Sequence, residues 1–504
     1  MTDDGRLSPD VIRIAVVVIV GAVMSILDTT IINVALESLS AELHADLSTI
    51  QWVSTGYLLA LATVIPLTGW AAERYGPKRV WMTAVAGFIV TSALCGLAWS
   101  PESLIAFRVL QGLAGGMIMP IGMITLAQAA GPTRMGRVMS VVGVPMLLAP
   151  VLGPVIGGLI VEHLSWRWIF YVNLPVGVVG LVLAARLLPG GRAVGARGVT
   201  AAPPELDWKG LLMLSPGVAM LVFGLSEIGS QGRVAGKDLA WMAAGSVLIA
   251  GFVRHALRAR FPLVEVRLFG GRGFSAAAAT TFLVGGALFG AQLLLPLYYQ
   301  VARGESALAA GLLVAPQGIG AAIGMRFSGR LTDRIGGGRV VLGGILVLLA
   351  GTFVFTQVGA TTPYWLLGAA VVVRGVGLGF TMMPAMAAAY ATLESSQVPR
   401  ATPMLNVVQR IGGSIGTALL AVVLQRHIAD AIPGPGGGLE AAGSAPAAAR
   451  EQLAGPLAAA FGTAYWWSLA MTAVAIVPAL VLALTERRDR TSAASPPQPA
   501  PIAG

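Results

Sequence analysis

Asp28 and Arg108 are charged residues placed inside long apolar runs of the chain, the first and the fourth. A charge at membrane depth costs at least about 2.5–3.5 kcal/mol on insertion scales, so an ionisable residue there is a functional candidate by default. Asp28 is the only acid well inside any such run. Counted along a helix, Asp28 lies about 12 Å and Arg108 about 8 Å from the same membrane edge. An extended arginine side chain bridges that difference in depth. Burial disfavours an ionised carboxylate and a neighbouring cation favours it. The two therefore read as a proton-coupling site in which Asp28 carries the proton and Arg108 tunes it, with a permanent buried ion pair as the alternative. Gln111, Gly112 and Gly115 share a helical face with Arg108. Gln111 reads as cavity-lining and the glycines as packing.

Two more arginines, Arg374 and Arg410, lie in apolar runs with no acid at similar depth. Either they bond exposed carbonyls near Pro384 and Gly412-Gly413, or they reach for an interface, or they favour an anionic or strongly polarised substrate. Arg326 sits near a run's end, where an arginine snorkels. Gln51, Trp52, Tyr57, Gln292, Gln317, Asn406 and Gln409 are candidates for a cavity, because polar groups in spans face a cavity or a partner helix. Met119, Met383 and Tyr298 would add an adaptable apolar wall, with ordinary packing as the alternative. Phosphate-binding loops, zinc-ligand clusters and catalytic triads are absent from the sequence; its histidines, His44, His163, His255 and His427, are scattered, and Cys95 is its only cysteine. The expectation is therefore a protein that is not an enzyme, with no metal and no cofactor.

The elements that position these residues are membrane helices. Of 504 residues, 56% are hydrophobic and 11% charged, against about 25% charged in a soluble domain. Apolar runs of about 20 residues recur, each long enough to cross the hydrocarbon. The 65 glycines suit close approach of membrane helices. Fourteen spans are expected, at 11–36, 50–71, 80–99, 103–126, 137–160, 167–188, 208–228, 239–256, 273–300, 307–328, 340–358, 364–390, 401–425 and 464–485. The first run continues to Leu36 without a small-residue cleavage site, so it reads as a span. With the N-terminus in the cytoplasm, 23 of the 33 Lys and Arg fall on that side and six on the other. That asymmetry is the one positive-inside topology produces. It places both termini inside a cytoplasmic (inner or plasma) membrane and accounts for the net charge of +10 without nucleic acid.

The chain repeats itself. Gly69, Glu73, Arg74 and Gly76 follow the second span, and Gly329, Asp333, Arg334 and Gly336 follow the tenth. Arg108-Val-Leu-Gln111-Gly112 leads to Pro120 in the fourth span, and Arg374-Gly375-Val-Gly377 leads to Pro384 in the twelfth. Corresponding spans point the same way, which makes this a parallel repeat with substrate near the midplane between the halves. The expected domains are 1–190 (six helices), 191–265 (a two-helix insert with its linkers) and 266–490 (six helices). Residues 427–462 are expected to form a flexible external loop and 491–504 a disordered tail. Glu73–Arg74 and Asp333–Arg334 read as latches that bridge neighbouring helix ends. Gly153, Pro154, Gly157 and Gly158 interrupt the fifth span and read either as a hinge or seal between the halves or as plain packing.

These residues together resemble the fourteen-span drug:proton antiporters of the major facilitator superfamily. Leu27-Asp28-Thr29-Thr30-Ile31-Ile32-Asn33-Val34-Ala35-Leu36 is similar to that family's first-span signature, and the two loop motifs to the superfamily's gating loop. The first loop departs from it, with Glu73 for the usual Asp and Pro77 for a basic residue. Arg108 to Gly112 resembles the fourth-span motif linked to proton coupling. Ala149-Pro150 through Gly157-Gly158 resembles the antiporters' fifth-span motif, with Ala149 for its leading glycine. Trp166-Arg167-Trp168 through Asn173-Leu-Pro175 looks like the sixth-span entry. The resemblance implies an all-α membrane fold of two six-helix bundles plus two inserted helices. It also implies proton-driven export of a small lipophilic substrate by alternating access. The other readings are a dedicated exporter of one natural product or anionic or lipidic metabolite, an inward proton symporter, and a non-transporting scaffold or sensor. The expected partners are protons, substrate and membrane lipid. The chain is expected to be monomeric, with an accessory protein left open.

Overall fold

The computed structural model describes residues 7–190, 205–431 and 447–494. Those residues are helical, with short turns and no strand. Fourteen membrane-length elements follow in order. The first six are α1 (Pro9–Glu42), α2 (Thr49–Tyr75), α3 (Pro77–Gly96), α4 (Pro101–Ala130), α5 (Met135–His163) and α6 (Trp168–Leu187). Two more, α7 (Trp208–Gln231) and α8 (Gly236–Arg258), form the insert. The last six are α9 (Arg272–Ala302), α10 (Leu308–Ile335), α11 (Gly337–Thr356), α12 (Tyr364–Ala391), α13 (Val398–Ala431) and α14 (Gln452–Arg488). Thirteen pass as single apolar spans, and α5 passes as a pair bent by 40° between Pro132–Pro150 and Val155–His163. The bend coincides with Pro150 and Pro154, which lack the N–H that would continue the helical ladder.

Local sequence sets the helix ends. Ser100 and Ser103 form a reciprocal cap at the start of α4, and Pro101 occupies a position whose N–H would be unpaired anyway. The turn glycines of the repeat each make a one-residue corner. Gly76 has φ 86° between α2 and α3, and Gly336 has φ 98° between α10 and α11. A side chain is strained at such an angle. Beyond the corner the copies diverge. Lys78 donates to the carbonyls of Ala185 and Leu188, whereas Glu486 accepts from the N–H groups of Gly337 and Gly338.

Packing repeats with the sequence. The pairs α1–α5, α2–α4 and α3–α4 recur as α9–α13, α10–α12 and α11–α12. The cause lies in the glycines. A Cβ on Gly112 or Gly116 of α4 would meet the carbonyls of Tyr57 or Leu61 on α2, and one on Gly375 or Gly379 of α12 would meet those of Gln317 or Ala321 on α10. The halves meet through α5 against α10 and α12, and through α2 and α4 against α13. In the insert, α7 packs on α2 and α13, and α8 packs on α7. Trp52 of α2 stacks on Phe223 of α7 at 5.6 Å.

Two expectations about irregular segments need correction. The segment 427–462 is not all loop. Helix α13 runs to Ala431, and a helix resumes at Ala447. The alanine-rich stretch from Ala447 is a strong helix former, and Leu457, Ala458 and Phe461 are buried in the far end of the second half. The tail is helical to Ala494. Residues 432–446 and 495–504 lie outside the described residues.

The contact of α9 with α13 yields a stability prediction. A Cβ on Gly416 would collide with the carbonyl of Gly286, whereas one on Gly158 meets nothing within 4 Å. Overpacking costs about 1–3 kcal/mol. Gly416→Leu is expected to lower the melting temperature in detergent by several degrees and Gly158→Ala to leave it unchanged, measured by thermal-shift chromatography.

Candidate functional site

Asp28 and Arg108 meet. Arg108 Nη1 donates to Asp28 Oδ2 at 2.6 Å and to Gln111 Oε1 at 2.8 Å. Its Nε donates to the carbonyl of Val53 at 3.1 Å, and its guanidinium lies 4.1 Å from the centre of the Tyr57 ring. Asp28 Oδ1 accepts from Gln111 Nε2 at 3.1 Å and from Asn173 Nδ2 at 2.8 Å. Asn173 is itself held by Ser92, which donates to the carbonyl of Phe170. Asp28 is 3% exposed and Arg108 0%. Five helices, α1, α2, α3, α4 and α6, thus converge on one carboxylate, which accepts from three side chains. Breaking a buried pair by removing one partner costs about 3–5 kcal/mol, because the other charge is left uncompensated.

This constellation takes in Gln111 and Tyr57, which the sequence assigned to a cavity. Gln111 belongs to the carboxylate's shell because it is one turn from Arg108 and points the same way. Tyr57 carries the guanidinium on its face and lies 3.5 Å from Ser25 Oγ. Asn173 stands in the sequence reading only as part of the sixth-span motif, and Ser92 has no place in it. A buried amide in an otherwise apolar span was the signal for Asn173.

Arg374 occupies the place in the second half that Arg108 holds in the first. It is 2% exposed, and among the described residues no acid reaches it. Its guanidinium lies 5.6 Å from the Phe355 ring and 6.0 Å from the Tyr465 ring, and its Nε and Nη1 have no hydrogen-bond partner among the described residues. It is therefore buried in an aromatic core. Tyr298 is likewise core: it packs on Phe461 and donates to the carbonyl of Gly359 at 3.0 Å. Met383 is buried beside Met325 and Gly143, where α5, α10 and α12 meet. Gln51, Trp52 and Gln292 are exposed, and Met119, Gln317 and Asn406 are half-buried. Trp52 serves the contact with the insert. Asn406 Nδ2 donates back to the carbonyl of Thr402. Arg410 is half-buried and donates to no acid or other hydrogen-bond acceptor among the described residues.

On the face where α1 begins and α14 ends, the halves are latched twice. Glu73 at the end of α2 takes Arg400 of α13 in a paired contact at 3.0 and 2.9 Å. Asp333 at the end of α10 takes Arg137 of α5 at 2.9 Å and the N–H of Gly136 at 3.1 Å. The acids therefore reach across the halves to cations on the opposite bundle, and the adjacent Arg74 and Arg334 are exposed. The two latches are related by the repeat: α2 corresponds to α10 and α13 to α5. The small residue of each motif lets the backbones touch. A Cβ on Gly69 would strike the carbonyl of Pro399, and one on Gly329 would strike Ser140 and the carbonyl of Gly136. By contrast, Gly153 and Gly157 pack on Thr30 and Ile31 of α1, within their own half. They do not seal the halves against each other. They and Pro154 sit in or beside the bend of α5, two to three residues along α1 from Asp28.

The insert's linkers reach the first latch. Asp207 caps α7 by accepting from Gly210 N–H and also bonds His255 Nε2 at 2.8 Å and Leu263 N–H at 3.1 Å. That holds the following strap so that the Phe261 ring lies 5.8 Å from the Arg400 guanidinium. Trp70, Asp207, Phe261 and Arg400 line one small cleft.

The family model described as Major Facilitator Superfamily matches residues 18–417. A relative from Mycobacterium tuberculosis, Multidrug resistance protein B homolog, is 42% identical over 423 residues, which cover 83% of this chain and 77% of the relative. The Tetracenomycin C resistance and export protein of Streptomyces glaucescens is 30% identical over 429 residues, 85% of this chain and 78% of the relative. Among solved structures, the human organic anion transporter MFSD10 superposes with a TM-score of 0.61 at 15% identity, covering 92% of this chain and 100% of that one. At that identity the likeness shows the fold alone.

The latches give the second prediction. On a Cys95→Ser background, a cysteine at Leu147 lies on the α5 face that carries Gly136, Ser140 and Gly143. Arg400→Ala is expected to raise its labelling by an impermeant maleimide from the latched face several-fold, and Phe261→Ala to raise it less. Unchanged labelling in Arg400→Ala would count against a latch.

Proposed function

The chain belongs to the major facilitator superfamily of membrane transporters, and we propose that it exports lipophilic drugs or related small molecules across the cytoplasmic membrane in exchange for protons. The observation that carries this reading is the buried Asp28 with its three donors. Among the described residues it is the one acid deep in a span, and it lies in the half that must rock against the other. The relatives named for multidrug resistance and for antibiotic export support the drug side of the reading.

In this reading the latched face is cytoplasmic, as the distribution of Lys and Arg suggests, and both described ends of the chain lie on it. The latched arrangement is then the outward-facing state. A proton arriving from outside neutralises Asp28. The carboxylic acid no longer balances Arg108, and its bonds to Gln111 and Asn173 weaken, because charge-assisted hydrogen bonds are the stronger ones. The α1–α5 contact at Thr30 and Gly153 connects this change to the bend of α5, and α5 carries Arg137 of the second latch. A bias of a few kcal/mol is enough to shift such a rocking equilibrium. One proton crossing about 100 mV releases about 2.3 kcal/mol, which tight coupling turns into roughly a fifty-fold gradient of a neutral compound.

The test uses protein in liposomes with a pH-sensitive dye and an acid lumen. Lipophilic compounds added outside are expected to draw protons out of the lumen with wild-type protein and not with Asp28→Asn. Equal proton movement in the two proteins would overturn the role of Asp28. Substrate movement without any proton movement would overturn exchange.

A further inference from the structure

We propose that Arg410 is the substrate-recognising cation of the cavity between the halves, and that the compounds it selects are lipophilic acids, with a carboxylate or an acidic phenol on an apolar body. The proposal rests on the transporter reading above and names the substrate class of that site.

Position comes first. Pro399 and Pro403 of α13 face Gly69 of α2. Asn406 and Arg410 continue that face at helical spacing, by three and seven residues from Pro403. Arg410 therefore points at the first half. Its depth follows from the same contact. Counted from the Gly69–Pro399 touch, Arg410 lies about 16 Å along α13 and Tyr57 about 18 Å along α2. The two reach the same level, and Tyr57 is the titratable side chain within the electrostatic reach of Arg410. Arg410 thus stands on the second half's wall, opposite the ring that carries Arg108.

Charge comes second. The other arginines drawn into the protein are either paired or, as with Arg374, too deeply enclosed for a ligand to reach. Arg108 has Asp28, Arg400 has Glu73, Arg137 has Asp333, and Arg374 is enclosed by aromatic rings. Among the described residues Arg410 has none of these; it is half-buried, and its nitrogens are not among the fully enclosed ones, so its guanidinium is open to a ligand. A cation at this depth without a counter-ion is costly, and an anion arriving there removes that cost. The planar guanidinium fork matches a carboxylate with two parallel hydrogen bonds. A cationic ligand finds no acid to meet it, because Asp28 is 3% exposed and already accepts from Arg108, Gln111 and Asn173. Asn406, one turn away and half-buried, adds a polar side chain on the same face.

The experiment measures binding alone, so that it does not depend on export. Three fluorescent probes share one apolar body: 1-pyrenebutyrate, its primary amide and 1-pyrenebutylamine. Their affinities are measured by anisotropy with the full chain in nanodiscs, against empty nanodiscs. The butyrate is expected to bind about tenfold more tightly than the amide, and the amine most weakly. Arg410→Gln is expected to bring the butyrate down to the level of the amide. Arg410→Lys, which keeps the charge, is expected to retain most of the preference and shows that the position tolerates change. Equal binding of the three probes by wild-type protein, preference for the amine, or an intact preference in Arg410→Gln would each overturn the proposal. If the preference holds and the liposome exchange fails, the export reading falls and the Arg410 site stands. If exchange succeeds with amines and not with acids, the reverse holds.

Discussion

One carboxylate in an apolar bundle constrains the rest of this structure. Ionised Asp28 is tolerable at its depth only because Arg108, Gln111 and Asn173 all donate to it. Those donors come from α4 and α6, and Arg108 is itself fixed by the Val53 carbonyl and the Tyr57 ring of α2. The first half is therefore assembled around the charge. Removing the proton acceptor leaves Arg108 unbalanced, and removing Arg108 leaves Asp28 unbalanced. In the second half the corresponding arginine, Arg374, lies among aromatic rings and, among the described residues, has no acid beside it. Proton sensitivity in the proposed cycle belongs to one half only, whereas latching is shared by both.

The two latches show how a repeated motif becomes a mechanical device. Each puts a glycine where two backbones touch, an acid one turn further on and a positive-φ glycine at the corner. Each acid finds its cation on the other bundle. Closure is thus a property of the pair of halves. Phe261, carried by the strap that Asp207 holds, adds the insert to the same closure. A two-helix insertion between the halves therefore sits against α2 and α13 and touches the latch they share.

Much of this was legible in the sequence. Asp28 and Arg108 could be paired because they are rare at such depth and lie at similar distances from one membrane edge. The spans followed from apolar run length and from the one-sided distribution of Lys and Arg. The repeat could be read from its turn glycines and its Arg-Gly motifs. What could not be read was orientation about the helix axis between distant spans. Gln111 reads as cavity-lining and Tyr298 as part of an adaptable apolar wall, yet Gln111 meets a carboxylate and Tyr298 a carbonyl. The Glu73–Arg74 and Asp333–Arg334 pairs read as bridges between neighbouring helix ends, and the acids meet Arg400 and Arg137 on the opposite bundle, far away in sequence. The alanine-rich stretch from Ala447 looked like loop because it follows a Gly/Pro-rich stretch, although its own composition favours helix.

The central claim is that the charge on Asp28 holds the latched face closed. Spin labels at Arg79→Cys and Arg339→Cys, both exposed at the latched ends of α3 and α11 in opposite halves, report that closure as a distance on a Cys95→Ser background. The account predicts a single short distance in alkaline buffer, with a longer population appearing on acidification and dominating in Asp28→Asn at every pH. A distance distribution that is the same in wild type at both pH extremes, and the same again in Asp28→Asn, would contradict it.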